Sequence, residues 1–322
     1  MVTQSTKKAQ MHKLVIVALL AAGVAAVFAI PAAANARGTN GKIVFNADNS
    51  VTGQEQVYAV DPDGTDLKLL ANDTAAGQWS PDGTRISTGG GIIDFDTGSF
   101  TDLSLGALYP DLFLGCGPWS PDGARLTCEG GFIDPSLQGA YTLRSSDGGD
   151  LQRVTSDPGG DDCPGDYSPN GKRIVFVRAD DTVFALVTVK LDGGEPRQIT
   201  PSGMAINFNC GSWSPQGNEI VFSAHVPADN RSTIWVVHSD GTGLRQIPVP
   251  GCGGLTSNPT SIGCFNPSWS PDGQKIVFGR QPGQGQRDLY IANADGSGLF
   301  RVTNAPDLEE FGGDWGTHPV TP

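Results

Sequence analysis

Short apolar runs recur along this chain in a fixed order, and within each run hydrophobic and polar positions alternate. Arg173-Ile174-Val175-Phe176 and Lys275-Ile276-Val277-Phe278 represent one kind of run, rich in β-branched and aromatic residues. Val57-Tyr58-Ala59-Val60 and Ile234-Trp235-Val236-Val237 represent a second kind. A period near two over four to eight residues, bounded by turn residues, predicts strands rather than helices. The turns carry their own chemistry. Before the first kind of run stands Trp79-Ser80-Pro81-Asp82-Gly83, repeated as Trp119-Ser120-Pro121-Asp122-Gly123 and Trp269-Ser270-Pro271-Asp272-Gly273. Pro presets φ at the second turn position, Asp suits the third, and Gly accepts a left-handed conformation. After the second kind of run comes an Asp-Gly turn (Asp63-Gly64, Asp240-Gly241, Asp295-Gly296) and a fourth short strand such as Leu299-Phe300-Arg301-Val302-Thr303.

Looser copies at Tyr167-Ser168-Pro169-Asn170-Gly171 and Trp213-Ser214-Pro215-Gln216-Gly217, with a truncated one at Asp314-Trp315-Gly316, complete the series. The aromatic positions lie 40 to 56 residues apart, a period that suits propeller blades of four strands, A to D, with the aromatic on A. The two ends of the series complement each other. The first copy enters directly at a B-type strand, Gly41-Lys42-Ile43-Val44-Phe45, and the last stops after an A-type strand at Trp315. The expected fold is therefore all-β: a six-bladed β-propeller of four-stranded antiparallel blades, closed by the C-terminal strand pairing with N-terminal strands. An open solenoid would instead need polar caps at both ends.

Composition agrees with this reading. The 44 Gly and 23 Pro among 322 residues are too many for a helical bundle, since each weakens a helix interior. Lys7, Lys8 and Lys13 precede or open an apolar run from Leu14 to Ile30, which Pro31 ends, and Ala34-Asn35-Ala36 follows. That order reads as a signal peptide over residues 1–36, leaving residues 37–322 as the propeller. If uncleaved, the segment would be a membrane anchor, its only expected membrane contact. The formal net charge is −13, and losing those lysines leaves the remainder more acidic still. Such a surface repels phosphate backbones, which excludes nucleic acid as a partner. Six cysteines (Cys116, Cys128, Cys163, Cys210, Cys252 and Cys264) all follow the leader. In an exported chain an even set reads as disulfides. Cys116 and Cys128 flank one A–B turn, Cys252 and Cys264 bracket one loop, and Cys163 and Cys210 remain.

The Trp-Ser-Pro-Asp-Gly motif with its β-branched strand and Asp-Gly hairpin resembles the TolB-type, WD-like β-propeller repeat. The resemblance covers about Gly41 to Gly316 and rests on five near-full copies. It departs from intracellular WD repeats, because the Gly-His and Trp-Asp dipeptides are absent. It also departs from TolB itself, whose propeller follows an α/β domain. Strand B here starts within a few residues of the expected cleavage site, so a periplasmic, Pal-coupled role is not carried over whole.

Nothing in the sequence forms a catalytic signature: there is no Gly-x-Ser-x-Gly, no Walker A loop and no His-Glu-x-x-His. No catalytic residue, metal site or cofactor is expected. Trp79, Trp119, Trp213 and Trp269 read as wedges between blades rather than ligand platforms. Asp61-Pro62-Asp63-Gly64-Thr65-Asp66 lacks the spacing of a calcium loop and reads as hairpin chemistry. His225, assigned to a B–C loop, and His318, in the tail, read as solvated surface. Loop length is more informative. A–B and C–D turns are short and uniform, whereas B–C and D–A connections vary and share the opposite face, where binding groups sit on a rigid scaffold. Asp161, Asp162, Asp166, Asn207, Asn209, Asn266, Glu309, Glu310 and Asp314 collect there. They are expected to form an acidic funnel at the channel mouth that attracts a protein or a small cationic ligand. The expectation is a monomeric, exported, non-enzymatic binding scaffold of the cell envelope or extracellular space. The alternative is a glycan- or peptide-active enzyme using loop residues.

Overall fold

The turn motif folds as its residues dictate. Ser80 Oγ accepts from the Arg85 N–H at 2.9 Å and donates to Asp82 at 2.5 Å, while Asp82 accepts from the Thr84 N–H at 3.1 Å. Gly83 sits at φ +70°, a conformation that disfavours a side chain. Ser120 and Ser270 repeat these bonds with Asp122 and Asp272. A side-chain network built from three residues thus launches strand B in register wherever the motif recurs.

In the computed structural model, residues 38–74, 76–131, 134–156, 160–179, 184–207, 210–226, 231–252, 263–281 and 286–319 are described. They form six antiparallel sheets, and each is a blade ordered A to D outward from the axis. Blade 3 shows the plan: Leu114–Trp119, Arg125–Gly130, Gly139–Arg144 and Gln152–Arg153. The A strands touch their neighbours around a complete ring. Closure is as expected: Leu308–Trp315 pairs with Ile43–Asn49, Trp315 opposite Ile43 and Leu308 opposite Asn49. Blade 1 therefore draws its strands from both ends of the described chain.

Six apolar clusters hold the ring, one in each seam between adjacent blades. Each contains one motif aromatic: Trp79, Trp119, Tyr167, Trp213, Trp269 or Trp315. Trp79, for example, packs between Val44, Val57 and Ala59 of blade 1 and Ile86 and Ile93 of blade 2. A large ring fills the wedge that opens between two twisted sheets. Trp119 also donates its indole N–H across a seam to the Gln78 carbonyl, and Trp315 donates within blade 1 to the Gly41 carbonyl at the closure. His318 is no solvated tail residue. Its ring stacks on Trp79 at 5.4 Å and its Nδ1 meets the Gly83 carbonyl at 2.9 Å.

The cysteines pair as Cys116–Cys128, Cys163–Cys210 and Cys252–Cys264. The first staples blade 3 internally. The second joins the A strands of blades 4 and 5, and the third ties the loop leaving blade 5 to the A strand of blade 6. Departures from the sequence expectation are local. Outer strands shrink to two or three residues in five blades, as at Phe300–Arg301 and Phe100–Asp102, because an edge strand has one partner. The inner strand of blade 5 is split into Ala205–Ile206 and Ser212–Trp213, with Cys210 and Gly211 at positive φ before the second piece. His225 belongs to strand Glu219–Val226, not to a loop. A one-turn helix, Leu105–Leu108, leads from blade 2 to blade 3.

Candidate functional site

Aligning the six inner strands shows what surrounds the axis. Two residues before each aromatic stand Gly77, Gly117, Gly165, Gly211, Pro267 and Gly313, and one residue before it stand Gln78, Pro118, Asp166, Ser212, Ser268 and Asp314. The small first set lets the strands crowd together. A Cβ on Gly165 would lie 2.3 Å from the Cys210 carbonyl oxygen, and one on Gly77 equally close to that of Ser87. Four of the A–B pairings and the Phe45/Ala47 stretch of the closing pair shift register here. A bulge re-aims a side chain, and these bulges lie at the positions that line the axis.

A channel of about 250 Å³ runs down from the loop face, lined chiefly by Gly77, Gly117, Gly165, Gly211, Gly313 and three prolines. A smaller cavity of about 40 Å³ lies toward the turn face. Gln78, Ser268 and Asp314 line both, so a polar ring separates them. Its carboxylate, Asp314, belongs to blade 1, and Asp166 of blade 4 holds the equivalent strand position on the opposite side of the axis. Each is tied to the next blade: Asp166 accepts from the Trp213 N–H at 2.9 Å and Asp314 from the Trp79 N–H at 2.8 Å. Ser212, Ser268 and Asp314 continue as a hydrogen-bonded chain at 3.4 and 3.2 Å. Asp314 lines both cavities. Burial and then repulsion from Asp166 push its carboxyl up to about 7, against the bonds from Trp79 and Ser268.

The acidic funnel is mostly internal. Asp162 is buried and forms a paired, two-toothed contact with Arg178 at 2.8 Å. Glu310 is buried in the seam between blades 6 and 1, where it accepts from the Leu289 N–H at 2.7 Å and from the Thr303 hydroxyl. Burial pushes it up to about 7. Asn207 donates to Ser223 and Ser232, and Asn266 to the Phe311 carbonyl. The funnel expectation is corrected at Asp162 and Glu310, which packing and internal bonds seal in, whereas Asn266 and Asp314 do line the channel. Asp161 and Glu309 stay partly exposed, the latter 3.7 Å from Arg287. Asn209 lies outside the described residues, as does the leader.

Sequence reasoning missed Glu129, which lies against Asp161 across the seam between blades 3 and 4. Burial and the facing carboxylate push Glu129 up to about 8. It also missed the axial ring as a unit, although the position before each motif aromatic was there to be compared. On the turn face, Asp61 and Asp66 are bound by Lys42 at 2.6 and 2.7 Å, and Asp63 by Thr65. That arrangement is ion pairing and turn chemistry, as the hairpin reading holds.

Six closed blades around an axial channel define a β-propeller whose long loops share one end. No family model matches the chain. Over 137 residues, 42% of its length, it is 28% identical to the Tol-Pal system protein TolB of Anaeromyxobacter dehalogenans; it spans only 28% of that relative. Its fold is similar to the crystal structure of TolB from Acinetobacter baumannii, with a TM-score of 0.68 and 19% identity, over 87% of this chain and 67% of that one. It is also similar to an oligogalacturonate lyase in complex with manganese, with a TM-score of 0.54 and 14% identity, over 84% and 75%. Repeat and ring together make this chain a six-bladed β-propeller whose fold is similar to that of TolB.

Proposed function

We propose that the protein is an exported binding scaffold that takes a basic segment of a partner protein, or a small cation, at its loop face. The observation carrying this reading is the channel itself. It opens at the end where the variable loops gather, is lined in large part by glycines and prolines of the inner strands, and reaches Asp314. Such a shaft admits a narrow, positively charged group and holds a carboxylate at its floor. Three disulfides suit an oxidising compartment and support export. The TolB relative supports an envelope partner, because it is named for the Tol-Pal system.

The test is capture from an envelope extract of the producing cell, followed by mass spectrometry, at low and high salt. Capture should weaken as salt rises, since exposed charges are screened within about 8 Å at physiological ionic strength. The charge-neutral variant Asp161→Asn/Glu309→Gln should weaken it further while leaving the buried Asp162–Arg178 pair intact. Capture that ignores both salt and the variant would sink the electrostatic reading.

A further inference from the structure

Blade 2 is built short. Its B and C strands, Arg85–Thr88 and Gly91–Asp94, have four residues each, and Gly89 and Gly90 alone connect them. The corresponding strands of blade 5 have eight each. The shortfall leaves a notch made of two cavities. One, about 490 Å³, lies against the outer strand of blade 1 and is lined by Leu70, Ala71, Ile93 and Phe100. The other, about 660 Å³, lies under the one-turn helix and is lined by Leu105, Tyr109, Leu112 and Phe113. Gly90 and Asp102 line both, so the cavities meet over the glycine tip. Each falls within the roughly 300–1,000 Å³ that ligand pockets occupy.

We infer that this notch is a docking site for an extended segment of a partner protein in which apolar side chains alternate with lysine or arginine. Three observations converge. Phe100 and Phe113, one in each cavity, are 56% and 54% exposed, unusual for large apolar rings in a protein with a well-filled core. The charged side chains lining the cavities are Asp73 and Asp102, so a partner's charge here must be positive. The tip is bare without a structural need. Neither Gly89 nor Gly90 has a positive φ, and a Cβ on either would touch nothing within 4 Å. Glycine where neither packing nor φ demands it suits the close passage of another backbone. The floor is preformed, because the Gly89 and Gly90 carbonyls accept from the Cys116 and Leu103 N–H groups at 2.9 and 3.0 Å. A second copy of this chain, at net charge −13, would bring like charge to an acidic notch.

This inference deepens the scaffold reading, yet it stands apart from the axial channel, so the two fail separately. The purified protein is titrated into three fluorescein-labelled hexapeptides, and anisotropy is followed. One alternates leucine or phenylalanine with lysine, one replaces lysine by glutamate, and one replaces the apolar residues by serine. Only the first should bind. Gly90→Trp fills the notch without backbone strain and should weaken that binding at least tenfold. Asp73→Asn/Asp102→Asn should weaken it severalfold, and Asp161→Asn/Glu309→Gln should leave it unchanged. Gly89→Trp stands in if Gly90→Trp does not melt cooperatively. No binding of the first peptide, equal binding of the serine peptide, or full binding by the tryptophan variant would overturn the inference. So would sedimentation showing a dimer that Gly90→Trp dissolves, which would assign the notch to a second copy.

Discussion

Carboxylates held by local turn bonds and carboxylates sealed by a neighbouring blade behave in opposite ways. On the turn face, Asp63, Asp94, Asp240 and Asp295 accept hydrogen bonds from a hydroxyl and a backbone N–H two or three residues on, and these hold them below the usual carboxylate range. Asp82 is partly buried, which works against ionisation, yet bonds from Ser80 and Thr84 still bring it below that range. In the seams and on the axis, burial dominates, and Glu129, Glu310 and Asp314 are pushed up to about 8, 7 and 7. The same functional group is made strongly or weakly acidic by whether local turn bonds or a neighbouring blade surrounds it. Local chemistry repeats with the motif; the covering of one blade by the next differs from seam to seam. The raised carboxylates lie where one blade covers the next, not in the repeated turns.

The harshest way to break this comparison is to remove the closing strand. Deleting residues after Asn304 takes Glu309, Glu310 and Asp314 away together and strips blade 1 of its inner strand. Cooperative unfolding should be lost, with aggregation from the exposed edge. A truncated protein that melts sharply at the parent temperature would show that closure does not hold the ring.

A smaller cut is Asp162→Ala, which leaves Arg178 without its buried partner. It should cost about 3 kcal/mol in urea unfolding, at the low end for a broken buried pair because Arg178 is partly exposed. An effect below about 0.5 kcal/mol, the range of ordinary surface changes, would place Asp162 with the turn-face carboxylates instead.

The third test uses pH. Asp314 and Glu310 hold their protons more tightly folded than unfolded. The stability they contribute is therefore complete below about pH 4, where unfolded carboxyls are protonated, and is lost as pH rises through about 7. Melting temperature should accordingly fall between pH 5 and 7. Each such group adds up to about 1.4 kcal/mol per pH unit. Asp314→Asn should flatten that fall, and identical slopes for parent and variant would remove Asp314 from the account. The turn-face groups act in the other direction, losing their contribution only as pH drops through their lowered values. Smallest of all should be Asp63→Asn/Asp240→Asn/Asp295→Asn. These side chains are fully exposed, so the melting temperature at pH 7 should stay within a degree or two.

Much of the architecture was legible along the chain. The blade repeat, the four-strand order, the wedge aromatics and the closing strand follow from alternation and turn residues, because each rests on contacts within a few residues or on one repeated offset. The cysteine pairs were suggested by spacing alone. The acidic positions were not legible in the same way. Asp162, Asp166, Glu310 and Asp314 look alike as loop-end acids, and their fates depend on Arg178, on the Trp213 and Trp79 N–H groups and on Leu289, most of them in other blades.

What the sequence by itself determined is therefore the unit and its count: turn bonds are local, and a period of two places the apolar face without reference to the rest of the chain. Tertiary structure alone decided which carboxylates meet across the axis, which are sealed in seams, and where a short blade leaves a notch. Those outcomes depend on residues distant in sequence but packed within a few ångströms, and desolvation acts through that packing, not along the chain.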